Sequence, residues 1–93
     1  MNIDAIKNAR DTIANGYWHK GSARSSLHPE RVCAVTALGT EEVIKFVEKF
    51  VPFTPKRSSA LRPLARFNDD PKTTRQDVMD VLDKALAELG GLG

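Results

Sequence analysis

The sequence predicts a mainly α-helical fold: one compact domain over residues 1–93 with about four helices and an irregular or hairpin-like insert after the first. Three observations point there. Apolar residues recur at the helical period in several separate segments. Glycine, proline and capping residues fall where those segments should end. A chain of 93 residues is also too short to divide into two cores.

The first helix is expected at about residues 3 to 15, where Ile3, Ile6, Ala9, Ile13 and Ala14 share a face and Asn2 stands at the cap position. Asn15-Gly16 should end it, because glycine reaches the left-handed C-cap conformation at little cost. Residues 16 to 31, GYWHKGSARSSLHPER, have no helical period and read as an extended loop or loose hairpin. VCAVTAL, 32 to 38, is apolar throughout and therefore buried, but so short a run fits a helix or a strand equally.

Gly39-Thr40 punctuates the chain, with Thr40 as N-cap and Glu41 and Glu42 favourably placed against the helix dipole. Val43, Ile44, Phe46, Val47, Phe50 and Val51 then give a wide apolar face that Pro52 stops. A short helix should open at Ser58 or Ser59 and carry Leu61, Leu64 and Phe67, with Pro63 near its first turn. Thr73-Thr74-Arg75-Gln76 has the spacing of a T-x-x-Q capping box. Behind it Val78, Val81, Leu82, Ala85, Leu86 and Leu89 form the clearest helical stripe, which Gly90-Gly91 ends.

Composition is that of a globular protein, 41% hydrophobic and 28% charged. The single cysteine, Cys33, excludes an internal disulfide framework. The N-terminus carries Asp4, Lys7, Arg10 and Asp11 and no apolar run, unlike a signal peptide, and no stretch approaches the ~20 apolar residues of a membrane span. The expected location is cytoplasmic, without membrane contact. The net charge of +2 is unevenly spread. Residues 53 to 75 hold Lys56, Arg57, Arg62, Arg66, Lys72 and Arg75 against Asp69 and Asp70. Residues 76 to 93 hold Asp77, Asp80, Asp83 and Glu88 against Lys84. The basic stretch is a possible binding patch, for an acidic partner or for nucleic acid. A solvated surface is the plainer reading, since domains that bind DNA are usually more basic overall.

Sites for chemistry are few. FNDDPKTTRQDV, 67 to 78, offers oxygen ligands at Asn68, Asp69 and Asp70, but an EF-hand counted from Asn68 would meet Thr73 and Met79 where glycine and glutamate are required. His19, His28 and Cys33 match no closed zinc spacing and lack a fourth ligand. Cys33, His19 and Asn68 suggest a thiol-hydrolase triad by residue type only, and a thiol in an apolar run is usually packed and inert. Trp18, beside Tyr17, Lys20 and Arg24, could stack on a base or sugar; a lone tryptophan in a small domain is more often a core anchor with its indole N–H paired. No catalytic residue, metal or cofactor is expected. Asn68 or Asp69, following a core aromatic, is expected to bond backbone N–H groups of residues 31 to 35.

Four stretches together, GYWHKGSA, VCAVTAL, FNDDPKTTRQDVMDVLDKA and the leading amphipathic helix, resemble a family of small uncharacterised domains from actinobacteria and their bacteriophages. On that pattern fall Trp18, Gly21, Ala23, Cys33, Ala34, Ala37, Asn68, Asp69, Thr74 and Val78. Thr36 replaces a glycine of the pattern and Phe67 a tryptophan, and both substitutions leave a packing role intact. The resemblance implies an architecture and an origin, with Trp18, Gly21, Cys33, Asn68, Asp69 and Thr74 as structural motif residues. The expected function is a small non-enzymatic protein-binding module, phage-encoded and acting on a host protein. Nucleic-acid binding through residues 53–75 is the alternative, and a small cysteine-dependent hydrolase the second alternative.

Overall fold

The computed structural model describes residues 3–19, 32–52 and 62–90. Among them lie five helices: α1 (Ile3–Ala14), α2 (Ala34–Leu38), α3 (Glu41–Glu48), α4 (Pro63–Asp69) and α5 (Arg75–Glu88). The fold is mainly helical, and within VCAVTAL the bridge residue Val32 and the N-cap Cys33 precede the short helix α2.

α1 and α5 lie against each other, and their apolar stripes supply much of the core: Ile6, Ala9 and Ile13 from one, Val78, Val81, Leu82, Ala85 and Leu86 from the other. Ala34 and Leu38 of α2, Val43, Ile44 and Val47 of α3, and Leu64 and Phe67 of α4 complete it. Across the α1–α5 seam the Arg10 guanidinium bonds Asp83, which also raises the Arg10 pKa.

The helix ends follow local rules. α1 closes in a Schellman motif: Gly16, at φ +91°, donates to Ile13, and Tyr17 donates to Thr12. Thr40 occupies the N-cap of α3 with extended backbone, but its side chain makes no capping hydrogen bond. α4 starts at Pro63, later than Ser58 or Ser59. Proline at N1 has its φ already set, and it drives the residue before it, Arg62, into the extended region. Ser58, Ser59 and Leu61 lie outside the described residues.

The cap of α5 is one residue later than T-x-x-Q implies. Thr74 Oγ1 accepts from Asp77 N at 3.1 Å, and Asp77 Oδ2 accepts from Thr74 N at 2.8 Å. Aspartate is short enough to close the box, and its negative charge suits a helix N-terminus. Thr73 instead is buried.

The insert does not return as an antiparallel pair at its base. Trp18 and Val32 form a parallel bridge, with Val32 N donating to Tyr17 O and His19 N donating to Val32 O. The chain thus leaves and rejoins the body at one place. Residues 20–31, with Gly21, Ala23, Arg24 and His28, lie outside the described residues.

Because the box joins two backbone donors to two side chains, Thr74→Ala should cost about 1 kcal/mol. Urea unfolding should show a lower midpoint for Thr74→Ala and a smaller change for Gln76→Ala.

Candidate functional site

Asn68, in the last turn of α4, is fully buried and makes four hydrogen bonds. Its Oδ1 accepts from the Trp18 indole Nε1 at 2.6 Å and from Ala34 N at 3.0 Å. Its Nδ2 donates to His19 O at 2.9 Å and to Asp69 Oδ1 at 3.0 Å. A carboxamide has two donor hydrogens and an acceptor with two lone pairs, so every position is filled. Ala34 is the first residue of α2, whose leading N–H has no partner within the helix. The expected bond to residues 31–35 is therefore made by the Asn68 amide oxygen. Phe67, buried beside it, and Trp18, packed at the edge, belong to the same core.

Cys33 is the N-cap of α2. Its sulfur accepts from Thr36 N at 3.5 Å and lies 3.4 Å from Thr36 Oγ1, and the residue is buried. Thr36 thus adds a hydroxyl contact at the thiol. Trp18, Cys33, Ala34, Asn68 and Asp69 are brought together here, while Thr74 stands apart at the cap of α5.

Arg62 has a second set of partners. Its guanidinium reaches Glu48 through Nε at 2.9 Å and Nη2 at 3.0 Å, and Glu41 through Nη1 at 2.6 Å and Nη2 at 2.9 Å. Glu48 Oε2 also accepts from Leu64 N at 3.1 Å, so a carboxylate of α3 caps α4. Glu48 and Glu41, in that order, raise the Arg62 pKa. The Arg62 hydrogen bonds hold Glu41 below the usual carboxylate range. For Glu48, burial pushes the pKa up, but the Arg62 and Leu64 hydrogen bonds with the Arg62 charge outweigh it and the net shift is downward.

The basic stretch is accordingly not one uniform patch. Arg62 is committed to two carboxylates; Arg66 is half-buried in the last turn of α4; Lys72 and Arg75 are exposed. Lys56 and Arg57 lie outside the described residues.

One concave surface, about 450 Å³, opens between the end of α4 and one side of α5. Phe67, Val81 and Pro52 give its apolar lining, and Asp70, Asp77, Asp80, Lys72 and Lys84 its charged rim. Asp77, Asp80, Val81 and Lys84 share one face of α5 by their spacing. Sequence reading missed this groove. The acidic bias of residues 76–93 was visible, but not that Asp70 and Lys72 cross to meet that face.

Among the described residues no three His, Cys, Asp or Glu side chains converge as metal ligands, and no helix is long and apolar enough to cross a membrane. The sequence profile of a family of unknown function, DUF6197, matches residues 2–88. The chain belongs to that family. No curated protein and no solved structure matches it.

Carboxylates with depressed folded pKa values stabilise fully above their unfolded pKa, and that stability is lost as pH falls through the folded values. The wild-type urea midpoint should therefore fall as pH drops below the ordinary glutamate value of 4.5. In Arg62→Gln that part of the fall should flatten, because Glu41 and Glu48 lose their cation.

Proposed function

We propose that this chain is a non-enzymatic protein-binding module, encoded by a phage of actinobacteria and acting on a host protein in the host cytoplasm. The observation that carries this reading is the open groove on α4 and α5, with apolar edges framed by side chains of both charges. Concave surfaces of this kind, an apolar lining with a few placed polar groups, suit side-chain recognition. The origin rests on the resemblance of the Trp18, Cys33–Ala34 and Asn68–Asp69 motifs.

Two of the groups that suggested other chemistry are occupied within the fold. The Cys33 thiol is a buried helix cap, which disfavours a nucleophile, because a reactive thiolate needs exposure and a cationic neighbour. Arg62 is held by Glu41 and Glu48, which removes its charge from a phosphate-binding surface. These positive assignments weaken the hydrolase and nucleic-acid readings and leave recognition of a protein surface.

The immobilised protein should retain a discrete protein from a lysate of its natural host after nuclease treatment and at high salt. The same preparation should give no salt-sensitive gel shift with plain duplex DNA. A micromolar shift that weakens steeply with salt would replace this reading with nucleic-acid binding.

A further inference from the structure

We propose that Asn15-Gly16 is a self-modification site: Asn15 converts to aspartate and isoaspartate when the last turn of α1 opens, and the isoaspartate form loosens the contact between Trp18 and Asn68. Asn15 is exposed where α1 ends, and among the described residues its carboxamide makes no hydrogen bond. It is the one asparagine of the chain that precedes a glycine. Glycine carries no Cβ to hinder the approach of its own nitrogen to the Asn15 side chain. Asn8 lies inside α1 ahead of Ala9, and Asn68 is buried with its amide fully bonded, so neither combines exposure with a following glycine.

The step needs only water. Hydroxide takes the proton of the Gly16 N–H, and the nitrogen forms a bond to Asn15 Cγ. The carboxamide C–N bond breaks, and its nitrogen takes a proton from water and leaves as ammonia. A succinimide ring results. Water then opens it at Cγ to give aspartate, or at the main-chain carbonyl to give isoaspartate, whose main chain is longer by one methylene. One water is consumed and one ammonia released, with no change of oxidation state.

The folded cap withholds the nucleophile. Asn15 N donates to Asp11 O at 2.9 Å, Gly16 N to Ile13 O at 3.1 Å and Tyr17 N to Thr12 O at 3.1 Å. To reach Cγ the Gly16 nitrogen must turn away from Ile13, and the next peptide unit then leaves Thr12. A terminal turn opens locally at a free energy below that of the whole domain.

The product matters because the cap leads straight into the Asn68 contacts. Tyr17 O accepts from Val32 N at 2.9 Å, Trp18 Nε1 donates to Asn68, and His19 O accepts from it. With an added methylene at residue 15, the main chain cannot keep the cap bonds and the position of Trp18 together. Charge alone is milder. A carboxylate there meets the unfavourable end of the helix dipole, but the Arg75 guanidinium lies beside Gly16, 3.8 Å from where a Cβ would stand.

The test is peptide mapping, with chromatography that resolves isoaspartate, of the whole protein and of the free peptide DTIANGYWH (residues 11–19) in one mildly alkaline buffer. Amide exchange of Gly16 and Leu82 is measured alongside. The expected result is conversion at Asn15 but not at Asn8 or Asn68, at least about tenfold slower than in the peptide and slowed by the same factor as Gly16 amide exchange, with Leu82 much better protected. Equal rates in protein and peptide overturn the proposal, because the cap then gates nothing. Slowing that matches the Leu82 amide instead overturns it too, because conversion then requires the whole core to open. The purified isoaspartate form should exchange its Trp18 indole N–H about tenfold faster than Asn15→Asp, which adds the charge without lengthening the chain. Equal indole exchange in those two forms overturns the coupling to Asn68.

Discussion

Three stretches of chain that are distant in sequence meet on one buried carboxamide. Asn68 ties the exit of α1, through Trp18 and His19, to the start of α2 through Ala34, and it does so from the end of α4. An amide suits the position because the surroundings offer two donors to one of its ends and two acceptors to the other. A carboxylate there would bond Trp18 and Ala34 but face the His19 carbonyl and Asp69 with acceptors only. An apolar residue would remove the acceptor of the Trp18 indole N–H and leave the buried Ala34 N–H without its side-chain partner, the latter at roughly 1–3 kcal/mol. The parallel bridge between Trp18 and Val32 lies directly beside this node, so the node also holds both ends of the insert at the core.

How much of this was legible in the sequence varies with the physics of each element. α1 and α5 were, because apolar residues at the helical period and a glycine stop are local signals. The bond from Asn68 to α2 was foreseeable in outline, since a buried helix start needs an acceptor and a polar residue follows a core aromatic. Its detail was not: the bond needs the amide rather than the Asp69 carboxylate. The capping box slipped by one residue because Thr73 and Thr74 are equivalent to a spacing rule, and only packing buries one and leaves the other exposed. The partners of Arg62 were hidden for another reason. Glu41 and Glu48 stand two helical turns apart and are brought to Arg62 by the packing of α3 on α4.

The same packing separates structural charge from charge available for recognition. Arg62 joins two carboxylates and helps Glu48 cap α4, and Arg10 with Asp83 closes the α1–α5 seam. A count along the chain would treat all five of these charged residues as surface charge. In space they are joints, whereas among the described residues Asp77 and Asp80 of α5 enter no ion pair.

The dependence on Asn68 can be read directly from hydrogen exchange in the unaltered protein. If the node holds the domain together, the Ala34 amide and the Trp18 indole N–H open only when the core opens. They should then exchange as slowly as the Leu82 amide in the middle of α5, which is fully buried. Exchange of both groups at rates near those of an exposed peptide, with Leu82 still protected, would contradict the account.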